Sequence, residues 1–367
     1  MNRKSWAAIA AVAILSACSS TDGGERAPTY GKTARFAARN EYSVKVPEGA
    51  KSLNAWFAMP QSNDTAQTII NLKIEASAPY RHATVVDSEG NEQIHVALDN
   101  PPAGEFKLVE TFDVERREVL NQLNPAETRA YEPADLADKA EYLAADANVV
   151  IDDRIRDLSA KIVGAESNPI VKARLIYDWV LANIEYWVKD PKTKKASPVG
   201  STTYCLESAT GNCTDFHSLW TSLARAAGIP TRMKYGSFFK AELNGQDADQ
   251  SYHCWPEFWV PNYGWVPHDV AVADIFTGNF ATTPDNEKPV RLTTADGYTG
   301  KDEAKVNYYF GSIEERRVTW SVGRDLALTP KQAGGPVNAL PKAYVEIDGK
   351  PQAEKEVWTR KLTYRQM

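Results

Sequence analysis

A chain of 367 residues, 43% hydrophobic and 25% charged, is long enough for two or three folded domains and too apolar to be disordered. Its formal net charge of −6 argues against nucleic acid as a partner. Ten tryptophans and sixteen tyrosines point to a well-packed core, or to an aromatic groove for carbohydrate or peptide.

Residues 1–17 read as an address. Arg3 and Lys4 precede Trp6 to Leu15, an apolar run too short to span a bilayer, which is the pattern of a secretory signal peptide. The run ends Leu15-Ser16-Ala17-Cys18, which resembles the lipobox of bacterial lipoproteins. That resemblance implies lipidation of Cys18 and a lasting membrane anchor. Residue 19 is serine rather than aspartate, so the expected place is the cell envelope, facing the periplasm, at the outer membrane. Residues 18–33 then form a lipidated tether rich in Thr, Asp, Gly and Pro. No other segment is long and apolar enough to span a membrane.

From 34 to 120 the pattern is all β. Tyr42–Val46, Leu53–Phe57, Thr68–Ala76, Ala83–Val86, Gln93–Leu98 and Phe106–Val114 are expected strands between Pro, Gly and Asn-rich turns. Short strands at near-regular spacing predict a sandwich. His82 and His95 lie in it without acidic or cysteine neighbours and read as structural.

Residues 121–290 change character. Glu132–Asn148 and Asp152–Val163 are expected helices, rich in Ala, Leu and Lys. Asn168-Pro169 opens a third, as an N-cap followed by proline should. Ile184–Val188 reads as a strand, and Lys189–Gly200 as a loop leading to Cys205 and Cys213.

Phe216, Leu219, Trp220, Leu223 and Ala227 then recur at helical spacing until Gly228 and Pro230 end the element. Cys213 therefore falls at a helix N-terminus, where the free N–H groups and the dipole favour an anion and acidify a thiol. Such a cysteine is a candidate nucleophile; the bland alternative is a small buried core residue. Thr231–Phe239, His253–Val260 and Trp265–Val270 follow as strands, the last two joined by the turn Pro261-Asn262-Tyr263-Gly264. That hairpin can bring His253 beside Asp269. His253 can take a proton from Cys213 and return it to a leaving amine, and Asp269 can fix the imidazole tautomer. The Cys213 N–H is a natural oxyanion donor.

Gly211-Asn212-Cys213-Thr214-Asp215-Phe216-His217, Arg225-Ala226-Ala227-Gly228-Ile229-Pro230-Thr231-Arg232, His253-x-Trp255-x-Glu257 and Gly264-Trp265-Val266-x-x-Asp269 together resemble the core of the transglutaminase-like superfamily. The resemblance covers roughly residues 168–274. It implies an α+β chain: a papain-like core, with the Cys helix packed on an antiparallel sheet carrying His and Asp, behind the β-sandwich-like domain. It carries the nucleophile to Cys213, the base to His253 and the orienting acid to Asp269. The implied chemistry is cleavage or transfer of an amide acyl group through a cysteine thioester, by a peptidase, an amidase or a protein-glutamine acyltransferase. In an envelope setting the expected partner is a peptide or protein amide, with peptidoglycan stem peptides as one class. A catalytically inactive scaffold is the other reading. No calcium-loop pattern occurs, so no metal or other cofactor is implied. Pro256 departs from the pattern and predicts an edge strand or a bulge there.

A zinc site from Cys213, His217 and the nearby Cys205, Cys254 and His268 is an alternative that accounts for fewer residues and lacks a finger spacing. His217 reads as a packing or supporting residue and His268 as facing away from Asp269. If Cys213 stays free, Cys205 and Cys254 are the remaining intrachain disulfide pair; two reduced core cysteines are the alternative. The extension 291–367 adds strands at Arg317–Val322, Ala343–Ile347 and Lys355–Tyr364, the last two joined through Asp348-Gly349 as a hairpin. Whether it extends the core sheet or returns to the front domain stays open.

Overall fold

In the computed structural model, residues 28–62, 64–77, 81–86 and 89–367 are described. The expected leader and the lipidation position Cys18 lie outside them. The front domain is built from β1 (Thr29–Val46), β2 (Ser52–Ala58), β3 (Gln67–Ala76), β4 (Arg81–Val86), β5 (Glu92–Asp99) and β6 (Gly104–Leu120). β1 takes in residues 29 to 33 of the expected tether. The reason is a partner: Thr29 pairs with Leu120 and Tyr30 with Val119 on β6, and the Arg117 guanidinium lies 3.9 Å from the Tyr30 ring centre.

Alternating apolar residues of the two sheets meet face to face. Tyr42 and Val44 of β1 and Phe106 and Leu108 of β6 pack on Leu53, Ala55 and Phe57 of β2 and Ile94 and Val96 of β5. Each is at least 96% buried. This is the sandwich that the alternation predicts. His95 sits in it with its ring over Trp56 and Nε2 3.2 Å from Asn54 Oδ1.

The second half carries the helices α1 (Asp153–Val163), α2 (Pro169–Asn183), α3 (Thr202–Ser208), α4 (Cys213–Ala226), α5 (Val270–Ile275), α6 (Glu287–Arg291) and α7 (Glu303–Tyr308). Its sheet has four antiparallel strands: β7 (Thr231–Phe238), β8 (Tyr252–Val260), β9 (Gly264–Pro267) and β10 (Arg317–Val322), in the order β9-β8-β7-β10. α4 lies against this sheet, its residues from Phe216 to Ala224 fully buried. No helix among the described residues is long and apolar enough to cross a membrane.

Glu132–Asn148 is not one helix. It makes a single turn at Pro133–Leu136 and a 3-10 turn at Glu141–Leu143. Ala and Leu favour helix, but the stretch has no apolar stripe to bury. Side chains strap it to the surface instead. Tyr142 packs edge-on against Trp265, and Arg225 Nη1 reaches Ala144 O at 2.6 Å and Asp146 Oδ2 at 2.8 Å.

The extension does both things that the sequence left open. β10 joins the core sheet, while β11 (Ala343–Ile347) pairs with β2 and β12 (Trp358–Gln366) pairs with β1. The expected hairpin between β11 and β12 does not form. Asp348-Gly349, with φ of 51° and 72°, does make the turn, but the chain returns only through Lys350–Pro351.

Polar groups fasten the halves together. Asp64, almost fully buried, meets Arg116 of β6 at 3.1 Å, Lys234 of β7 at 3.2 Å and Thr319 Oγ1 of β10 at 2.7 Å. Burial alone would raise its pKa, yet the Lys234 and Arg116 charges hold the carboxyl far below its usual range.

Candidate active site

The position of Cys213 is set by its neighbours in the chain. Asn212 caps α4, accepting from Asp215 N at 3.1 Å, while Asp215 Oδ2 accepts from Asn212 N at 3.0 Å. The same fully buried carboxylate accepts from Ser197 N at 3.0 Å and Ser201 N at 2.8 Å, so it folds the incoming loop onto the helix end. Gly211 makes room for this. A Cβ there would stand 2.3 Å from Asp215 Cβ. Cys213 thus becomes the first helical residue, 5% exposed, with its N–H at the unpaired helix start.

β8 brings His253 to it. His253 Nε2 lies 2.6 Å from Asp269 Oδ2, which leaves Nδ1 for the cleft that His253 lines together with Cys213. Asp269 is not on the hairpin strand, as the sequence suggested. It follows β9 by two residues and caps α5, accepting from Val272 N at 2.9 Å. Pro256 is in neither an edge nor a bulge, since β8 is an inner strand with regular pairing to β7. Its missing N–H faces the side on which β9 has already ended at Pro267, and its carbonyl accepts from His268 N at 3.1 Å.

The electrostatics favour a thiolate facing an imidazolium. A hydrogen bond from the Cys254 thiol, together with the His253 charge, holds the Cys213 thiol well below its usual value, against the opposing effect of burial. Burial works against a charged His253, but the Asp269 and Cys213 charges outweigh it and raise the ring above the ordinary histidine value. Asp269 resists burial through the His253 and Arg317 charges and sits well below the usual carboxylate range.

Four contributors were not foreseen. Arg317, at the start of β10, pairs with the same Asp269 oxygen that His253 uses, and its Nε meets Glu314 at 2.7 Å. Cys254 is not bridged to Cys205. All three described cysteines are free, and Cys254 Sγ is 3.5 Å from Thr214 Oγ1 and 3.4 Å from His217 Nδ1, facing the site. Burial pushes both the Cys254 and the Cys205 thiols well above their ordinary value. Tyr186 lines the cleft with Cys213, and burial together with the Cys213 charge pushes its hydroxyl well above the ordinary tyrosine value. Lys240 lines the same cleft. A signal for Arg317 existed in principle: a charged residue opening an alternating apolar strand.

His217 stands 3.3 Å from Asp269 Oδ1 through Nε2, behind His253. His268 is a packing residue, its ring centre 3.9 Å from that of Trp220, and burial draws its pKa well down. Among the described residues no cluster of His, Cys, Asp and Glu has the arrangement of a metal site.

Cys213 and His253 open onto a cleft of about 410 Å³ that is also lined by Tyr186, Trp187 and Tyr252. A second cleft, about 730 Å³, shares Asn212, Gln250 and Tyr252 with it and is walled by the extension between Gly334 and Trp358. An acidified thiol, an imidazole and a carboxylate in one chain of contacts, beside an open cleft, can attack a carbonyl carbon and protonate its leaving group.

An uncharacterized protein from Haemophilus influenzae is 28% identical over 372 residues, spanning 93% of this chain and 94% of its own length. The solved structure of a proposed cysteine protease from Cytophaga hutchinsonii superposes with a TM-score of 0.54 at 15% identity, over 92% of this chain and 100% of the other. That likeness is one of fold. Residues 156–270 match the family model of the transglutaminase-like superfamily, and this chain therefore carries a transglutaminase-like domain within a mixed α+β architecture.

Proposed function

We propose that this chain is a cysteine enzyme of the cell envelope that cleaves or transfers an amide acyl group through a thioester on Cys213. The Cys213 thiolate attacks the amide carbonyl. His253 then gives its proton to the departing amine, and Asp269 holds the ring and balances its charge. In the second half, His253 takes a proton from water or from an incoming amine, and the acyl group leaves the sulfur. The Cys213 N–H and the Tyr186 hydroxyl are suited to hold the oxyanion. The expected substrates are peptide or protein amides, peptidoglycan stem peptides among them. Residues 1–17 would direct export, and Cys18 would carry the lipid anchor at the outer membrane.

One observation carries the reading: His253 lies 2.6 Å from Asp269 and lines one cleft with the acidified Cys213, three side chains from three separate segments. The test is turnover of small peptide amides and stem peptides by the wild type and by Cys213→Ala, with and without an added amine. Thiol-dependent release of amine supports the reading, and product incorporating the added amine identifies transfer. Equal turnover by both proteins contradicts it.

A further inference from the structure

Lys240 follows β7 and is 93% buried as a residue; its ammonium lies 5.5 Å from the Phe238 ring centre and pairs with no carboxylate among the described residues. The carboxylates near it are committed. Glu242 is paired with Arg291 at 2.9 Å, and Asp269 with His253 and Arg317. The ammonium borders the cleft that holds Cys213 and His253, and Lys288 lies at the same cleft. Among the described residues no Asp or Glu lines that cleft. Burial draws the Lys240 ammonium down to about 8, so it is still largely charged at neutral pH.

Its stem is buried while its ammonium reaches the cleft, beside the Cys213 charge. Two ammonium groups and no carboxylate among the described lining, next to a reactive thiol, make this cleft a place for an anion. The reacting molecule is the group that enters it.

We propose that this cleft takes a substrate with a free carboxylate close to the amide that Cys213 attacks, with the Lys240 ammonium as its counter-charge and Lys288 at the entrance. This rests on the thiol-enzyme reading above and names its substrate class: acidic peptides, or peptides cut near a free C-terminus. The carboxylate orients the acyl group, and the uncharged analogue forgoes the same ion pair.

Two alkylating agents of similar size test this without a known substrate. Iodoacetate carries the carboxylate, and iodoacetamide is its neutral counterpart. Cys213 of the full chain should react faster with iodoacetate than with iodoacetamide. Lys240→Met should cut that preference about tenfold, and Lys240→Arg should keep most of it. The iodoacetamide rate serves as an internal control for folding and thiol acidity. Lys240→Met should melt close to the wild type, since the ammonium pairs with no carboxylate of the fold among the described residues. An unaltered ratio in Lys240→Met overturns the proposal, as does a lower melting temperature accompanied by equal loss of both rates. Failure of Cys213 to react with either reagent overturns the thiol-enzyme reading and this inference with it. Protection of Cys213 from iodoacetamide by acetyl-Ala-Ala assigns the carboxylate to a chain terminus, and protection by acetyl-Ala-Glu amide assigns it to a side chain. Protection by neither, with an unaltered ratio, is again a refutation.

Discussion

Arg317 and Asp269 form an ion pair in which neither side chain is exposed to solvent. Glu314 meets the same guanidinium at 2.7 Å, and the Tyr309 hydroxyl donates to Glu314. The line Tyr309, Glu314, Arg317, Asp269, His253, Cys213 thus runs through the interior to the cleft. Removing one partner of a buried pair is costly because the other is left charged and alone, at about 3–5 kcal/mol. Arg317→Met should lose about that much stability in urea melts. Arg317→Lys should recover part of it, because an ammonium cannot serve two carboxylates as a planar guanidinium does. A melt of Arg317→Met indistinguishable from the wild type would show the pair to be idle.

The Cys254 thiol lies beside Cys213 and favours its charged form together with His253. Cys254→Ala should raise the pH midpoint of Cys213 alkylation by about one unit. Cys254→Ser keeps a donor at the same place and should move it less. A midpoint unchanged in Cys254→Ala would assign the acidity to His253 and the helix end.

Asp269 orients His253 and stabilises its charged form. Asp269→Asn keeps the shape but presents an amide to the ring, and should lower kcat/KM by about 10²–10⁴-fold with KM little changed. A loss confined to KM would instead make Asp269 a substrate-binding group.

Stability should vary with pH in opposite ways at two kinds of carboxyl. Asp269 and Asp64 have folded pKa values below their unfolded ones, so their contribution is complete above about pH 4 and is lost as pH falls through the depressed folded values. Glu110 of β6 is the reverse. It is fully buried, and burial raises it to about 8 despite the hydrogen bond from Asn40 Nδ2 at 2.8 Å. Its folded state holds the proton longer than its unfolded state, so its contribution declines from about pH 4 up to its folded value. Glu110→Gln should flatten that decline and gain on the order of 2 kcal/mol at pH 8. Urea melts at pH 5 and pH 8 check this, and an unchanged difference between the two would refute it.

Gly211→Ala would drive a methyl into Asp215, whose carboxylate ties the loop 197–201 to the start of α4. It should cost about 2 kcal/mol and slow Cys213 alkylation together with it. Full stability with full reactivity would mean that the loop shifts freely.

The parts of this site that the sequence revealed are those whose physics is local. A cap, an apolar stripe and a glycine stop lie within twenty residues of Cys213, and the hairpin that brings His253 toward Asp269 has its turn between them. What stayed hidden depends on pairing at a distance. Arg317 reaches Asp269 only because β10 pairs with β7, setting Arg317 opposite Phe238, 48 residues past Asp269 in sequence. β11 and β12 have the alternation of strands, but alternation does not say which strand is the partner, and their partners lie near the other end of the chain. Glu132–Asn148 was misjudged for the opposite reason, since propensity without a buried face does not hold a helix.

On the function proposed above, Cys213 is a thiolate that depends on the His253 imidazolium. The rate of Cys213 alkylation by iodoacetamide against pH, in the wild type and in His253→Ala, measures it directly. Wild-type Cys213 should still react near pH 6, and His253→Ala should shift the limb upward toward the range of an ordinary thiol. A wild-type limb already at ordinary thiol pH, unmoved by His253→Ala, would contradict it.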